Sequence, residues 1–545
     1  MQRGEMIQQL QATSMWDICI IGGGATGLGI AVDAATRGFK TLLVEKFDFA
    51  KGTSSRSTKL VHGGVRYLQQ GNIKLVMEAL KERGMLIKNA PHLVKNQAFI
   101  VPNYKWWEGP FYGIGLKVYD WMAGSLGFGP SQFLSREETL NLAPTLDPDG
   151  LRGGVLYHDG QFDDARLAIH LAMTAADHGA TVINYMSAEG LMKANNKVCG
   201  VVLKDKLNGV SSSPSYEVKA KAVINATGIF TDSILKMDDA KAESFVTLSQ
   251  GIHIVLDREF LPSDTAIMIP RTDDKRVLFA VPWHNKIIVG TTDTPISVET
   301  GHTLSQQEPI AFEEEIEFVL HHIQKYLTKD PVRSDIRSVF AGLRPLVKAH
   351  SKTTAALSRD HHITVSDSEL ITITGGKWTT YRKMAEDVLE IAIPKAGLAD
   401  KECLTKDLHI HGYKKGTDFN KPLYYYGADE EGIRSIIESD KTLAEQIHSM
   451  FPFIKAEILW AVRNEMCMKV EDFLSRRTRA LLLDAKAAIE SASLVAEIMA
   501  REKNKNEDWI KNEIDSFNSI AKNYLPTSNN KLLIPSDRIS RADTN

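Results

Sequence analysis

At 545 residues the chain exceeds what one compact core holds, so roughly two to four domains are expected. Its 65 basic and 68 acidic residues leave a formal charge of −3, which excludes a bulk positive field for nucleic acid. Hydrophobic residues at 43% and charged ones at 24% exclude a disordered chain, and four dispersed cysteines without C-x-x-C spacing exclude a disulfide framework and suit a reducing compartment.

The opening "MQRGEMIQQLQATSMWD" lacks the apolar stretch of a signal peptide. It leads into "WDICIIGGGATGLGIAVDAATRGFKTLLVEK", which reads as a strand at Ile18–Ile21, a glycine turn, a helix ending near Gly38 and a second strand at Thr41–Val44. Gly22-x-Gly24-x-x-Gly27 occupies the turn. In such a unit Gly22 permits the tight turn, Gly24 lets the backbone approach a pyrophosphate, and Gly27 allows close packing of helix on strand. The helix N-terminus then offers free N–H groups and a positive dipole end to the phosphates. Glu45 closes the second strand, where an acid accepts ribose hydroxyls and disfavours a 2′-phosphate. FAD or NAD is implied, and NADP is not.

Next comes "RSTKLVHGGVRYLQQG", residues 56–71, which concentrates basic side chains, a histidine and a glycine pair. Downstream, "WWEGPFYGIGLKVYDWMAG" is rich in aromatic residues but interrupted by Lys117 and Asp120. It is too short and too charged to span a bilayer. A packed amphipathic helix is the plainer reading, and a helix resting at a membrane interface is the other.

"DDARLAIHLAMTAADHGATVIN" reads as a helix with Leu167, Leu171 and Ala175 on one stripe, then a strand at Thr181–Asn184. "YEVKAKAVINATGIFTDSI" is a strand ending in Ala226-Thr227-Gly228 before a helix start, with no second G-x-G-x-x-G. One dinucleotide site plus this late strand favours a single tightly held FAD. "GIHIVLD", "RVLFAVPW" and "KIIVGTTDT" are short β-rich runs that read as an antiparallel sheet, a plausible floor for a substrate pocket. "SVFAGLRPLV" and "ITITGGKWTTYRKMAEDVLEIAI" are read as a return to strand–turn–helix, with Gly375-Gly376 directly before Lys377. From about Leu404 the chain becomes helical and more charged. There "SRRTR" is read as the polar face of a packed helix rather than a basic binding patch.

Taken together, "IGGGATGLGIAVDAATRG", "GTSSRSTKLVHGGVRYL", "NATG", "GIHIVL", "VGTTDT", "AGLRPL", "LSRDH", "GGKWTTYRKMAE" and "DFLSRRTRALLLDA" resemble the FAD-dependent glycerol-3-phosphate dehydrogenases, the respiratory branch of the D-amino-acid-oxidase-like flavoproteins. The resemblance implies an α/β fold. A Rossmann-like FAD-binding domain would be assembled from residues 1–95, 151–250 and 346–400, with a substrate or cap segment at 96–150. An antiparallel-sheet substrate domain at 251–345, a C-terminal helical cap domain at 401–525 and a mobile tail at 526–545 would complete it.

The resemblance further implies oxidation of sn-glycerol 3-phosphate to dihydroxyacetone phosphate, with electrons passed to a quinone. It places Arg66, Tyr67, Arg344, Arg359 and Lys377 near the phosphate dianion, a task that suits arginine forks and a lysine point charge. Ser57, Thr58, His62, Gly63, Gly64, Thr227, Gly228, Gly376 and Thr379 join Gly22, Gly24, Gly27 and Glu45 on the FAD side. His253 is the favoured general base, with His62 its competitor, and Arg344 would stabilise the developing alkoxide. No metal site is expected. A cytoplasmic location follows, with peripheral contact at the inner face of the cell membrane left open, and a homo-oligomer is expected. Three rivals stand beside this reading: a glycerol-3-phosphate oxidase making hydrogen peroxide, an amino-acid oxidase of the same fold, and a flavoprotein without catalysis.

Overall fold

The computed structural model describes residues 1–64, 72–124, 127–207, 214–274, 276–296, 308–348 and 361–526. Arg66, Tyr67, Arg359 and the tail from residue 527 onward lie outside them.

Among the described residues two sheets carry the fold. The first runs Thr181–Ile183, Thr41–Val44, Trp16–Ile21, Ser215–Asn225 and Ile371–Gly375 in parallel, with His361–Val365 antiparallel at the edge. The hairpin Met186–Ala194/Lys197–Asp205 extends it by pairing with the first half of Ser215–Asn225. The central strands Trp16–Ile21 and Thr41–Val44 are buried at every position but Asp17, the near-continuous apolar run of strands covered on both faces. Helices Ala25–Thr36, Asp164–Asp177 and Tyr381–Lys395 pack here in one continuous core. Asp164–Asp177 carries no solvent face through its first three turns: every residue from Asp164 to Ala175 is buried.

Among the described residues the second sheet has ten strands. The expected strands Val246–Asp257, Leu278–Trp283 and Lys286–Gly290 form its antiparallel middle. It also recruits Leu60–Val61, Val94–Asn103, Gln132–Ser135 and Gly153–Phe162 from earlier in the chain. The two groups meet through one parallel junction, Ala266–Ile269 beside Val94–Asn103, because a long excursion brings the chain back in the same direction. Ser338–Val347, read above as the start of a strand–turn–helix, instead runs antiparallel to Val246–Asp257 over ten paired positions. That long pairing aligns Arg344 with Ser249 and Phe340 with His253.

The aromatic segment forms the helix Glu108–Ala123. Tyr112, Leu116, Tyr119 and Ala123 are buried, so the helix is packed. Its other face, however, presents Phe111, Ile114, Val118 and Trp121 outward at i, i+3, i+7 and i+10, with Trp121 82% exposed and Trp106 beside it 77% exposed. Among the described residues no helix is long and apolar enough to cross a membrane.

The C-terminal region is a set of helices, chiefly Lys455–Asn464, Ala485–Glu502 and Glu507–Ala521. Here "SRRTR" departs from expectation. Arg476, Arg477 and Arg479 are at most 2% exposed and each meets a carboxylate. The reason is that Asp48, Glu471, Asp472 and Asp163 lie in the same interface between this region and the first sheet, giving each guanidinium the partner that burial demands.

Candidate functional site

One cavity of about 990 Å³ runs from the glycine turn to the second sheet. At its first end Gly22 holds φ +113°, and an added Cβ would lie 2.6 Å from the Ala226 carbonyl oxygen. A Cβ at Gly27 would collide with the Gly22 carbonyl oxygen, so the close helix–strand contact expected there is present. Gly27 itself does not reach the cavity. Gly24 caps the helix Ala25–Thr36, and the Ala25 N–H donates to Ser54 Oγ at 2.9 Å. Glu45 accepts the N–H of Gly23 at 2.6 Å and of Phe47 at 2.9 Å while lining the cavity. Burial pushes its pKa up against the pull of those two amides. Oxygen lone pairs remain on this carboxyl for further donors. The turn, the helix N-terminus and the acid, opening on one long cavity, fit a dinucleotide such as FAD.

Thr227, Gly228, Gly376, Lys377 and Thr379 line the same space from the ends of Ser215–Asn225 and Ile371–Gly375. These are the C-terminal ends of parallel strands, where open α/β sheets bind ligands. Thr379 Oγ donates to the His62 carbonyl at 3.4 Å and Trp378 Nε1 to the Ser54 carbonyl at 2.8 Å, tying the two halves of the wall together. His62 and Gly64 face the cavity. Gly63 does not: its N–H donates to Tyr119 Oη at 2.8 Å, and it packs against Leu80. Ser57 borders the cavity, but its hydroxyl donates to Asp164 Oδ2 at 2.7 Å.

At the second end His253 and Arg344 come together from neighbouring strands. The His253 ring is 2% exposed, stacks on Phe340 at 4.8 Å and pairs Nε2 with Thr58 Oγ1 at 2.9 Å. Burial, reinforced by the positive charges of Lys59 and Arg344, holds its pKa well below the ordinary imidazole value, so it is neutral at pH 7. The Arg344 guanidinium donates to Thr291 Oγ1 at 3.1 Å and to the carbonyls of Thr292 at 2.9 Å and Gln250 at 3.3 Å, with Asp293 at 3.4 Å. Gly251 makes room for it, since a Cβ there would overlap the guanidinium.

Three groups escaped the sequence reading. Ser54 sits in the quoted "GTSSRST" and its helix-start contact was there to be guessed. Lys59 and Asp164 form a fully buried ion pair beneath the cavity floor, and Asp164 reads in sequence as an ordinary helix start. Arg56 pairs with Glu308, which accepts from Tyr524 Oη at 2.7 Å, and Ser519, Ile520 and Asn523 close that end of the cavity. No local signal links residues 216 positions apart.

Comparisons with known proteins agree with the fold and with FAD as the cofactor. A family model described as FAD dependent oxidoreductase matches residues 17–382, and one described as the C-terminal domain of alpha-glycerophosphate oxidase matches residues 369–509. The chain is similar to "Glycerol-3-phosphate dehydrogenase, mitochondrial" of Homo sapiens, 41% identical over 92% of this chain and 72% of that protein. The protein of the same name in Schizosaccharomyces pombe is 38% identical over 96% of this chain and 89% of its own length. A solved glycerol-3-phosphate dehydrogenase from Bacillus halodurans, complexed with FAD, superposes with a TM-score of 0.78 at 29% identity, covering 96% of this chain and 97% of that one.

Proposed function

From a chain that belongs to the FAD-dependent oxidoreductase family, and within it to the glycerol-3-phosphate dehydrogenases, we infer an enzyme that oxidises sn-glycerol 3-phosphate to dihydroxyacetone phosphate with FAD. The observation that carries this reading is the single cavity shared by the dinucleotide turn and by His253, Arg344 and Lys377. Gly22, Gly24 and the N-terminus of Ala25–Thr36 would hold the pyrophosphate and Glu45 the ribose. FAD supplies the hydride acceptor when bound.

The protein's own part is binding, orientation and proton management. Arg344 and Lys377 attract the phosphate dianion, and Arg66, Tyr67 and Arg359 complete that role from outside the described residues. His253, neutral and next to Arg344, takes the hydroxyl proton at an imidazole nitrogen. Arg344 also stabilises negative charge growing on the carbinol oxygen. His62 and Thr379 brace the cofactor wall.

Electrons then leave for a quinone rather than oxygen, a reading supported by the dehydrogenase names of the relatives. The outward apolar face of Glu108–Ala123 supports peripheral contact with lipid, where such an acceptor resides. A cytoplasmic protein held at the inner face of a membrane, acting as a homo-oligomer, completes the proposal.

Anaerobic titration of the purified flavoprotein with glycerol 3-phosphate is expected to bleach the flavin absorbance fully, while amino acids leave it unchanged. A yellow protein that stays oxidised would sink the assignment. Trp121→Glu is expected to cut co-sedimentation with lipid vesicles without changing that bleaching.

A further inference from the structure

His253 is held by a device that its role as a base does not by itself require. Lys59 Nζ lies 5.4 Å from the centre of the Phe340 ring, and His253 stacks on that same ring at 16°. Lys59 is wholly buried, and its ammonium has three acceptors for its three N–H bonds: the Ser55 carbonyl at 2.7 Å and both Asp164 oxygens at 2.8 Å. Three acceptors in that arrangement call for the protonated amine. Asp164 in turn accepts both the hydroxyl and the N–H of Ser57, at 2.7 and 3.1 Å. Thr58, between Ser57 and Lys59, is thereby fixed with its hydroxyl on His253 Nε2. Lys59 itself has φ +64°, in the left-handed region that a lysine enters only when its surroundings impose it.

We propose that the buried Lys59–Asp164 pair is a positioning unit for His253: it locks Thr58 onto one ring nitrogen and sets a cation over the Phe340 ring on which the imidazole stacks. This rests on the reading of His253 as the base. Lys59 does not line the cavity, so it acts on the imidazole through Thr58 and Phe340 and by its charge. The charged groups around His253 are Lys59 with Asp164 on one side and Arg344 with Asp293 on the other. Burial disfavours the imidazolium most and the two cations beside the ring add to it, so the base stays available when the substrate arrives as a dianion.

The test is an NMR titration of holoenzyme carrying isotope-labelled histidine, with the His253 resonance assigned by its loss in His253→Gln. In the wild type the ring is expected to stay neutral from about pH 8 down to about pH 6, below the ordinary midpoint near 6.5. In Lys59→Met the midpoint is expected to rise by at least about one unit, and the acid limb of flavin reduction by glycerol 3-phosphate moves with it. An unchanged midpoint in Lys59→Met overturns the inference. Should that variant fail to fold, Asp164→Asn takes its place, with the His253 midpoint expected to shift as the pair is loosened; an unchanged midpoint there overturns the inference equally. Failure of the underlying reading is separate, because near-normal flavin reduction in His253→Gln removes the base whatever the titration shows.

Discussion

Arg476, Arg477 and Arg479 differ from Arg344 in what their guanidinium groups face. Arg477 takes both oxygens of Asp48 at 2.7 and 3.0 Å; Arg476 meets Asp48, Glu471 and Asp472 at 2.6 to 2.9 Å; Arg479 meets Asp163 at 2.7 Å. The described partners of Arg344 are instead mostly neutral oxygens, with one carboxylate oxygen at 3.4 Å. Burial alone would raise the Asp48 pKa, yet Arg477 and Arg476 outweigh it and hold that carboxyl far below the usual range. An arginine matched by carboxylates is spent on cohesion, here between the C-terminal helices and the first sheet. Arg344, held by hydroxyls and carbonyls at a cavity wall, is the arginine we propose for the anion. The same residue type thus clasps the fold in one place and lines a cavity in another.

The contrast breaks most visibly at Asp48. Asp48→Ala leaves two buried guanidinium groups short of their carboxylate and is expected to cost about 3–5 kcal/mol, seen as a large fall in melting temperature or loss of soluble protein. Arg344→Ala is the opposite case. It is expected to lower the rate of flavin reduction by about 10²–10³-fold while the melting curve stays close to wild type. A stability loss as large as that of Asp48→Ala would erase the distinction between the two kinds of arginine.

A finer probe is His411, a cation that can be switched off. It bridges Asp177 at 2.6 Å and Asp429 at 3.0 Å, and although burial pulls its pKa down, the two carboxylates raise it to about 9. A folded-state value above the unfolded one means that the stabilisation is complete below about pH 6.5 and lost as pH rises through about 9. Melting temperature should therefore decline across that window, by less than the effect of Asp48→Ala, and His411→Asn should flatten the decline.

Much of this site was legible before any coordinates. The glycine turn, the two strands around it and Glu45 are local chemistry, because phosphate and ribose recognition within one βαβ unit uses residues close in sequence. Glycine spacing separated Gly22 and Gly24 from their surroundings, but it could not tell that Gly63 would pack on Tyr119 while Gly64 faces the cavity. The hydroxyl pattern around Ser57 and Thr58 pointed to the right loop, yet Ser57 turns to Asp164, and Ser54 makes the contact at the helix start.

Charge was the least legible property. "SRRTR" reads as a surface because nothing nearby in sequence hints at Asp48, more than 400 residues upstream, or at Asp163. The outward row of Phe111, Ile114, Val118 and Trp121 has the same period as the buried row beside it, so periodicity alone gave the helix two apolar faces without saying which would be covered.

What the amino-acid order determined on its own was therefore the nucleotide unit, the alternation of helix and strand in the first sheet, and the chemical types that we propose for an anionic substrate. Only the folded molecule decided which cations are neutralised and which face a cavity. The reason is that an ion pair depends on separation in space, whereas turns and helix ends depend on neighbours a few bonds away. Lys59, Asp164, Phe340 and His253 meet across nearly three hundred residues, and it is strand pairing, not spacing, that stacks them.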